Sequence, residues 1–122
     1  MAGEKILVVD DSPTELQLMI EPLVNQGYRV ITATDGIEAL EQVAKELPSL
    51  ILLDVLMPGK NGFQVCRQLK TDPATSDIKI IMVSSKNQES DRFWGLKQGA
   101  DEYLAKPFND ETLLNIISTF ID

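Results

Sequence analysis

Three apolar runs constrain this chain more than anything else in it: residues 6–9 (ILVV), 50–53 (LILL) and 80–83 (IIMV). Each is short and unbroken, so a strand built from it is apolar on both faces and has to be covered on both. Two further runs, Arg29–Ala33 (RVITA) and Glu102–Ala105 (EYLA), are mixed in polarity, as strands at the edges of a sheet tend to be.

Helical patterns fill the intervals. Ser12, Pro13 and Glu15 read as an N-cap, a proline at the first helical position and the acid of a capping box. Leu16, Met19, Ile20 and Leu23 follow at helical spacing, and Gly27 can close the end in a left-handed cap. Pro22 interrupts this helix and should kink it near residues 18–22, at a cost of ~3 kcal/mol. Asp35 and Glu38 cap a second helix, which stops before Pro48. The third is expected over Gly62–Thr71, the fourth over about 87–98 with Gly99 behind it, and the fifth over Asp110–Phe120. On the fourth, Phe93 and Leu96 are expected in the buried stripe, with Trp94 toward its flank.

The order is thus β-α repeated five times in one domain, residues 1–122, without repeat or linker. Right-handed crossovers and two polar edges favour a doubly wound, flavodoxin-like (βα)5 parallel sheet in the strand order 2-1-3-4-5. Folds of this kind work beyond the carboxyl ends of their strands, at the switch point between strands one and three. Those ends carry Asp10 and Asp11 after strand one, Asp54 after strand three, Ser84 after strand four, and Lys106 with Pro107 after strand five.

Three carboxylates so gathered raise one another's pKa unless a cation neutralises them. With oxygen donors only, that cation should be hard, Mg²⁺ or Mn²⁺. A phosphoryl oxygen can join such a shell, with Lys106 supplying positive charge and Ser84 a hydroxyl. This is an arrangement for phosphoryl transfer. Several other chemistries are excluded. The chain has no histidine, hence no Ser-His or Cys-His catalysis and no phosphohistidine of its own. Its one cysteine, Cys66, cannot form an internal disulfide and suits a reducing cytoplasm. A net charge of -8 argues against nucleic acid or an anionic membrane as partner, and no apolar run reaches the length of a membrane span.

The segments VVDDS (8–12), LLDVLMPGKNG (52–62), IIMVSSK (80–86) and GADEYLAKPF (99–108), in this order and spacing, resemble the receiver domain of bacterial response regulators. The resemblance covers essentially the whole chain. It implies that Asp54 accepts a phosphoryl group from the phosphohistidine of a partner histidine kinase or phosphotransfer protein. It implies that Asp11 is a direct Mg²⁺ ligand, that Asp10 acts through metal-bound water, and that the Leu56 carbonyl completes the protein's metal ligands with Asp54. Lys106 matches the lysine that pairs with the phosphoryl group, through a bond to Pro107 that the family often holds cis. Ser84 matches the switch hydroxyl, and Tyr103 the aromatic whose ring moves inward with it.

A receiver of this kind should act through a protein contact, as stand-alone chemotaxis regulators do, and residues 87–108 are also similar to single-domain regulators of twitching motility and phototaxis. On that resemblance the output is a protein contact on the face shared by the fourth helix, fifth strand and fifth helix. The chain is then a signalling switch and not an enzyme. An aspartyl-phosphate hydrolase is a competing class, although such enzymes usually carry a second aspartate where this chain has Leu56. A flavodoxin-like electron carrier is disfavoured by the acidic first loop, DDSPTE, which would repel a flavin phosphate. An adaptor with an inert site is disfavoured by the complete acidic, lysine and serine set.

Overall fold

The structure, a computed structural model, describes residues 3–121. Its strands are β1 (Lys5–Val9), β2 (Arg29–Ala33), β3 (Leu50–Asp54), β4 (Lys79–Ser84) and β5 (Glu102–Ala105). Its helices are α1 (Pro13–Asn25), α2 (Gly36–Glu46), α3 (Gly62–Thr71), α4 (Glu89–Lys97) and α5 (Asp110–Phe120). All four strand pairings are parallel, and the order is β2-β1-β3-β4-β5, as expected.

The unbroken apolar runs divide their side chains between two cores, because successive residues of a strand point to opposite faces. Leu7, Val9, Ile51, Leu53, Ile80 and Met82 pack on one face with Ala39 and Val43 of α2 and Val65, Cys66 and Leu69 of α3. Ile6, Val8, Leu50, Leu52, Ile81 and Val83 face the other way, onto Leu16, Met19 and Leu23 of α1 and Leu113 and Ile117 of α5. Burying each such aliphatic side chain contributes about 1.5–3 kcal/mol, and burial on both faces explains why no polar residue interrupts these runs. β2, at an edge, is only half-buried.

The helix ends follow local chemistry. The Ser12 side chain accepts from the Glu15 N–H at 3.3 Å, Pro13 opens α1, and Gly27 closes it at φ 99°. Glu15 does not complete the expected capping box. Its carboxylate goes to Lys106 instead, and the Ser12 N–H donates to Asp10. α1 continues through Pro22 to Asn25, so the proline removes one backbone bond without ending the element. At α3 a full capping box does form, with Asn61 and Gln64 exchanging side-chain and backbone bonds.

α4 departs from expectation. It begins at Glu89, two residues late, and Phe93 and Leu96 do not form a buried stripe. Phe93 is 61% exposed, Trp94 52% and Leu96 37%, while Gly95 alone is buried in this helix. Gly95 is where α4 meets the sheet: a methyl group there would lie 2.8 Å from the Met82 sulfur and 2.9 Å from the Tyr103 ring. The contact is made through backbone, so the large side chains face outward.

Gly62 is a second close approach, beneath the loop that follows β3. A Cβ there would fall within van der Waals contact of the Asp54 carbonyl oxygen and 2.8 Å from Val55 Cα. Both are backbone atoms, which cannot swing aside as a side chain can. Gly62→Ala should therefore cost about 1–3 kcal/mol of stability, read as a lower urea midpoint. An unchanged midpoint would show that the loop yields without cost.

Candidate functional site: an acidic cleft at the strand ends

The adjacent strands β1 and β3 both end in carboxylates, and the register aligns Val9 with Leu53, one residue short of Asp10 and Asp54. Oxygens of Asp10, Asp11 and Asp54 all lie within 4.8 Å of one another. Asp10 and Asp54 are buried at 1% and 5% exposure, while Asp11 is open to solvent. These residues line a cleft of about 560 Å³, together with Glu15, Leu56 and Lys106.

Asp10 is buried, and both of its carboxylate oxygens are satisfied. Oδ1 accepts from the Ser12 N–H at 3.0 Å and Oδ2 from Lys106 Nζ at 2.9 Å. Lys106 also reaches Glu15 Oε1 at 3.0 Å, so its ammonium bridges two carboxylates. Burial alone would lower the Lys106 pKa, but the hydrogen bonds to Asp10 and Glu15 and the charge of Asp54 more than offset it, and the group is raised. Its peptide bond to Pro107 is cis.

Asp54 is less well provided. Its one hydrogen bond among the described residues is a long one, 3.4 Å from the Leu56 N–H. Burial pushes its carboxyl up to about 6 from 3.8, and the charges of Asp10 and, less, Asp11 add to the rise; Lys106 and the Leu56 N–H oppose it. The site therefore holds an acid at the end of an apolar strand with too little positive charge around it. Three carboxylates in mutual reach, with no histidine or thiol, form a donor set that could hold a hard metal ion.

Ser84 and Tyr103 form a second group behind the acids. Ser84 is fully buried at the end of β4, one residue past the partner of Asp54 in the register, and its hydroxyl accepts from the Lys86 N–H at 3.1 Å. It does not line the cleft; its neighbour Ser85 does. The Tyr103 ring is already inward, 7% exposed and packed with Met82, and its hydroxyl donates to the Lys86 carbonyl at 2.6 Å. Burial raises the Tyr103 pKa, with the Ser84 hydroxyl opposing. An inward swing of this ring is thus not required from the conformation seen.

The site gathers Asp10, Asp11, Asp54, Leu56 and Lys106 as expected, and sets Ser84 and Tyr103 behind them. The residue missed is Glu15. Its one sequence signal, an acid three residues after a helix-capping serine, has a sufficient local explanation that hid its longer-range partner.

A fold with its carboxylates at this switch point fits a signalling receiver, and comparison with known families agrees. The model of the response regulator receiver domain matches residues 6–118, and the chain belongs to that family. Its members accept phosphoryl groups from histidine kinases and bind downstream targets. Among curated relatives, Protein PilH of Pseudomonas aeruginosa is 44% identical over 117 residues, covering 96% of this chain and 97% of PilH. Several further curated relatives, such as the response regulator PleD of Caulobacter vibrioides, are longer, and the chain spans only 24% to 46% of these. Among solved structures, the chemotaxis protein CheY4 of Vibrio cholerae superposes with a TM-score of 0.92 at 34% identity, covering 98% of this chain and 100% of that one. The receiver domain of the Pseudomonas aeruginosa sensor histidine kinase PA1611, which holds a magnesium ion in its active-site cleft, gives 0.90 at 31% identity, with 98% of each chain covered.

The raised pKa of Asp54 fixes the sign of a stability effect. The folded protein binds this proton more tightly than the unfolded chain does. Asp54 therefore imposes a penalty that is full above pH 6 and is relieved as pH falls from about 6 toward 3.8. In metal-free buffer, Asp54→Asn should stabilise the protein by about 1–2 kcal/mol at pH 7, with the gain vanishing toward pH 4. Urea denaturation at the two pH values measures it; a gain that does not change with pH would contradict the assigned cause.

Proposed function

We propose that residues 1–122 act as one cytoplasmic receiver domain in which Asp54 is the phosphoryl acceptor, charged by the phosphohistidine of a kinase or phosphotransfer protein. The observation that carries this reading is the position of the Asp54 carboxylate: at a strand end, under-neutralised, beside two further carboxylates and within the field of one ammonium. Mg²⁺, with Mn²⁺ as a substitute, fits the all-oxygen donor set, and the magnesium-bearing PA1611 receiver supports the choice. Asp11, Asp54 and the Leu56 carbonyl would hold the ion, with Asp10 acting through its water. When bound, the ion neutralises the acids and the charge on a phosphoryl oxygen. The protein's own part is then positioning. β3 fixes the Asp54 oxygen as nucleophile, and Lys106 offers its ammonium to the phosphoryl group. The Ser84 hydroxyl, drawn toward that group, gives up its bond to the Lys86 N–H.

Loss of that bond reaches the Lys86 carbonyl, to which Tyr103 is tied, and through Tyr103 the buried Gly95 of α4. Phosphorylation then alters the face formed by α4, β5 and α5, where Phe93 and Trp94 are exposed, and a downstream protein binds there. Trp enrichment at binding hot spots supports Trp94 as an anchor. The likeness to chemotaxis protein CheY4 supports a role in motility or taxis. The chain is a switch and not an enzyme acting on a separate substrate, although it catalyses its own phosphorylation.

Incubation with acetyl phosphate and Mg²⁺ should add one phosphoryl group by intact mass and shift the Trp94 emission. Both changes should be lost in Asp54→Asn, and strongly reduced in Asp11→Ala or with chelator. Mass gain surviving in Asp54→Asn would overturn the acceptor assignment, and donor turnover without accumulation would favour a hydrolase.

A further inference from the structure

Glu15 and Asp110 are charged groups of the cleft to which the phosphorylation chemistry gives no task, and of the two it is Glu15 that holds Lys106. It stands in the first turn of α1, where its carboxylate would ordinarily return to the cap. That place is taken, since the Ser12 N–H already donates to Asp10 at 3.0 Å. Glu15 instead accepts from Lys106 Nζ at 3.0 Å, opposite the 2.9 Å bond to Asp10. The Glu15 side chain is 38% exposed and that of Lys106 only 16%, so the acid lies on the solvent side of the lysine it holds. The ammonium is thereby engaged by two carboxylates, neither of which is Asp54.

Resting on the function proposed above, we propose that Glu15 is a positioning residue. It holds Lys106 back from Asp54 and sets a negative charge where an anionic phosphoryl donor must enter. Transfer from a small donor forms a bond from the Asp54 carboxylate oxygen to phosphorus. The bond from phosphorus to the leaving group breaks, and that group departs with the electron pair, as acetate from acetyl phosphate or as ammonia from phosphoramidate. For either donor, Lys106 has to exchange Glu15 for a phosphoryl oxygen. A donor with greater negative charge meets the further repulsion of the Glu15 carboxylate. The site consequently discriminates against acetyl phosphate, a dianion, in favour of phosphoramidate, whose protonated nitrogen offsets part of its charge. A phosphohistidine carried by a protein shares that P–N chemistry.

The test measures initial phosphorylation rates with each donor by intact mass, in wild type, Glu15→Gln and Glu15→Asp, with Mg²⁺ at low ionic strength. Glu15→Gln should speed acetyl phosphate by roughly three- to tenfold and phosphoramidate by less, and 0.5 M salt should shrink the difference between donors. Glu15→Asp, which keeps the charge on a shorter arm, should fall between. Independently of turnover, beryllofluoride, a non-transferable phosphoryl mimic, should bind Glu15→Gln more tightly, as followed by Trp94 emission. A donor ratio unchanged in Glu15→Gln, or slower transfer from both donors with no gain in beryllofluoride affinity, would overturn the role of Glu15 while leaving Asp54 as acceptor. Absence of mass gain in every protein, wild type included, would instead overturn the acceptor assignment and this inference with it.

Discussion

Mutual repulsion among Asp10, Asp11 and Asp54 is the constraint on which the working end of this molecule is built. Their oxygens lie within 4.8 Å of one another, and the nearest ammonium, Lys106, is committed to Asp10 and Glu15. Such a cluster cannot be the minimum-energy choice for an isolated domain, because one acid is left partly protonated near neutrality. It is stable in place only because the backbone carrying it is held elsewhere. The price is accepted where a cation and a phosphoryl group are to be received.

What holds the backbone is burial of β1, β3 and β4 on both faces. Their apolar side chains leave no freedom to slide, since a one-residue shift in register would carry every side chain to the wrong core. Gly62 then lets α3 start directly against the carbonyl of Asp54, so the loop after β3 cannot drift from the acid. The polar groups behind the acids are arranged differently. Ser84, Lys86 and Tyr103 are joined by hydrogen bonds that can be exchanged, and the Tyr103 ring meets α4 at the close approach of Gly95. A firmly held acid cluster thus adjoins a group able to rearrange, and the helix beyond it exposes its aromatic side chains.

The parts legible in the sequence are those governed by short-range rules. The unbroken runs implied strands covered twice, and their alternation with helices implied the parallel order, which together brought Asp10, Asp11, Asp54 and Lys106 to one edge. Other features depended on distances between elements. Glu15 had an adequate local reading as a capping acid, and only the arrival of Lys106 from β5 shows its actual partner. Phe93 and Leu96 have helical spacing suited to burial, but α4 sits on the sheet through a glycine and turns them outward. The inward ring of Tyr103 follows from the same glycine, which leaves space that a larger residue would fill.

The central claim is that the acid cluster is held unneutralised until a divalent cation enters, with Asp54 giving up a proton as it does. Isothermal titration of Mg²⁺ at pH 7 and at pH 5 tests it most directly. Because the Asp54 carboxyl titrates at about 6, affinity should fall about tenfold at the lower pH. Close to one proton should be released for each ion bound there, detected as a dependence of the heat on the buffer. Equal affinity at the two pH values with no proton release, or no binding at either, would contradict the account.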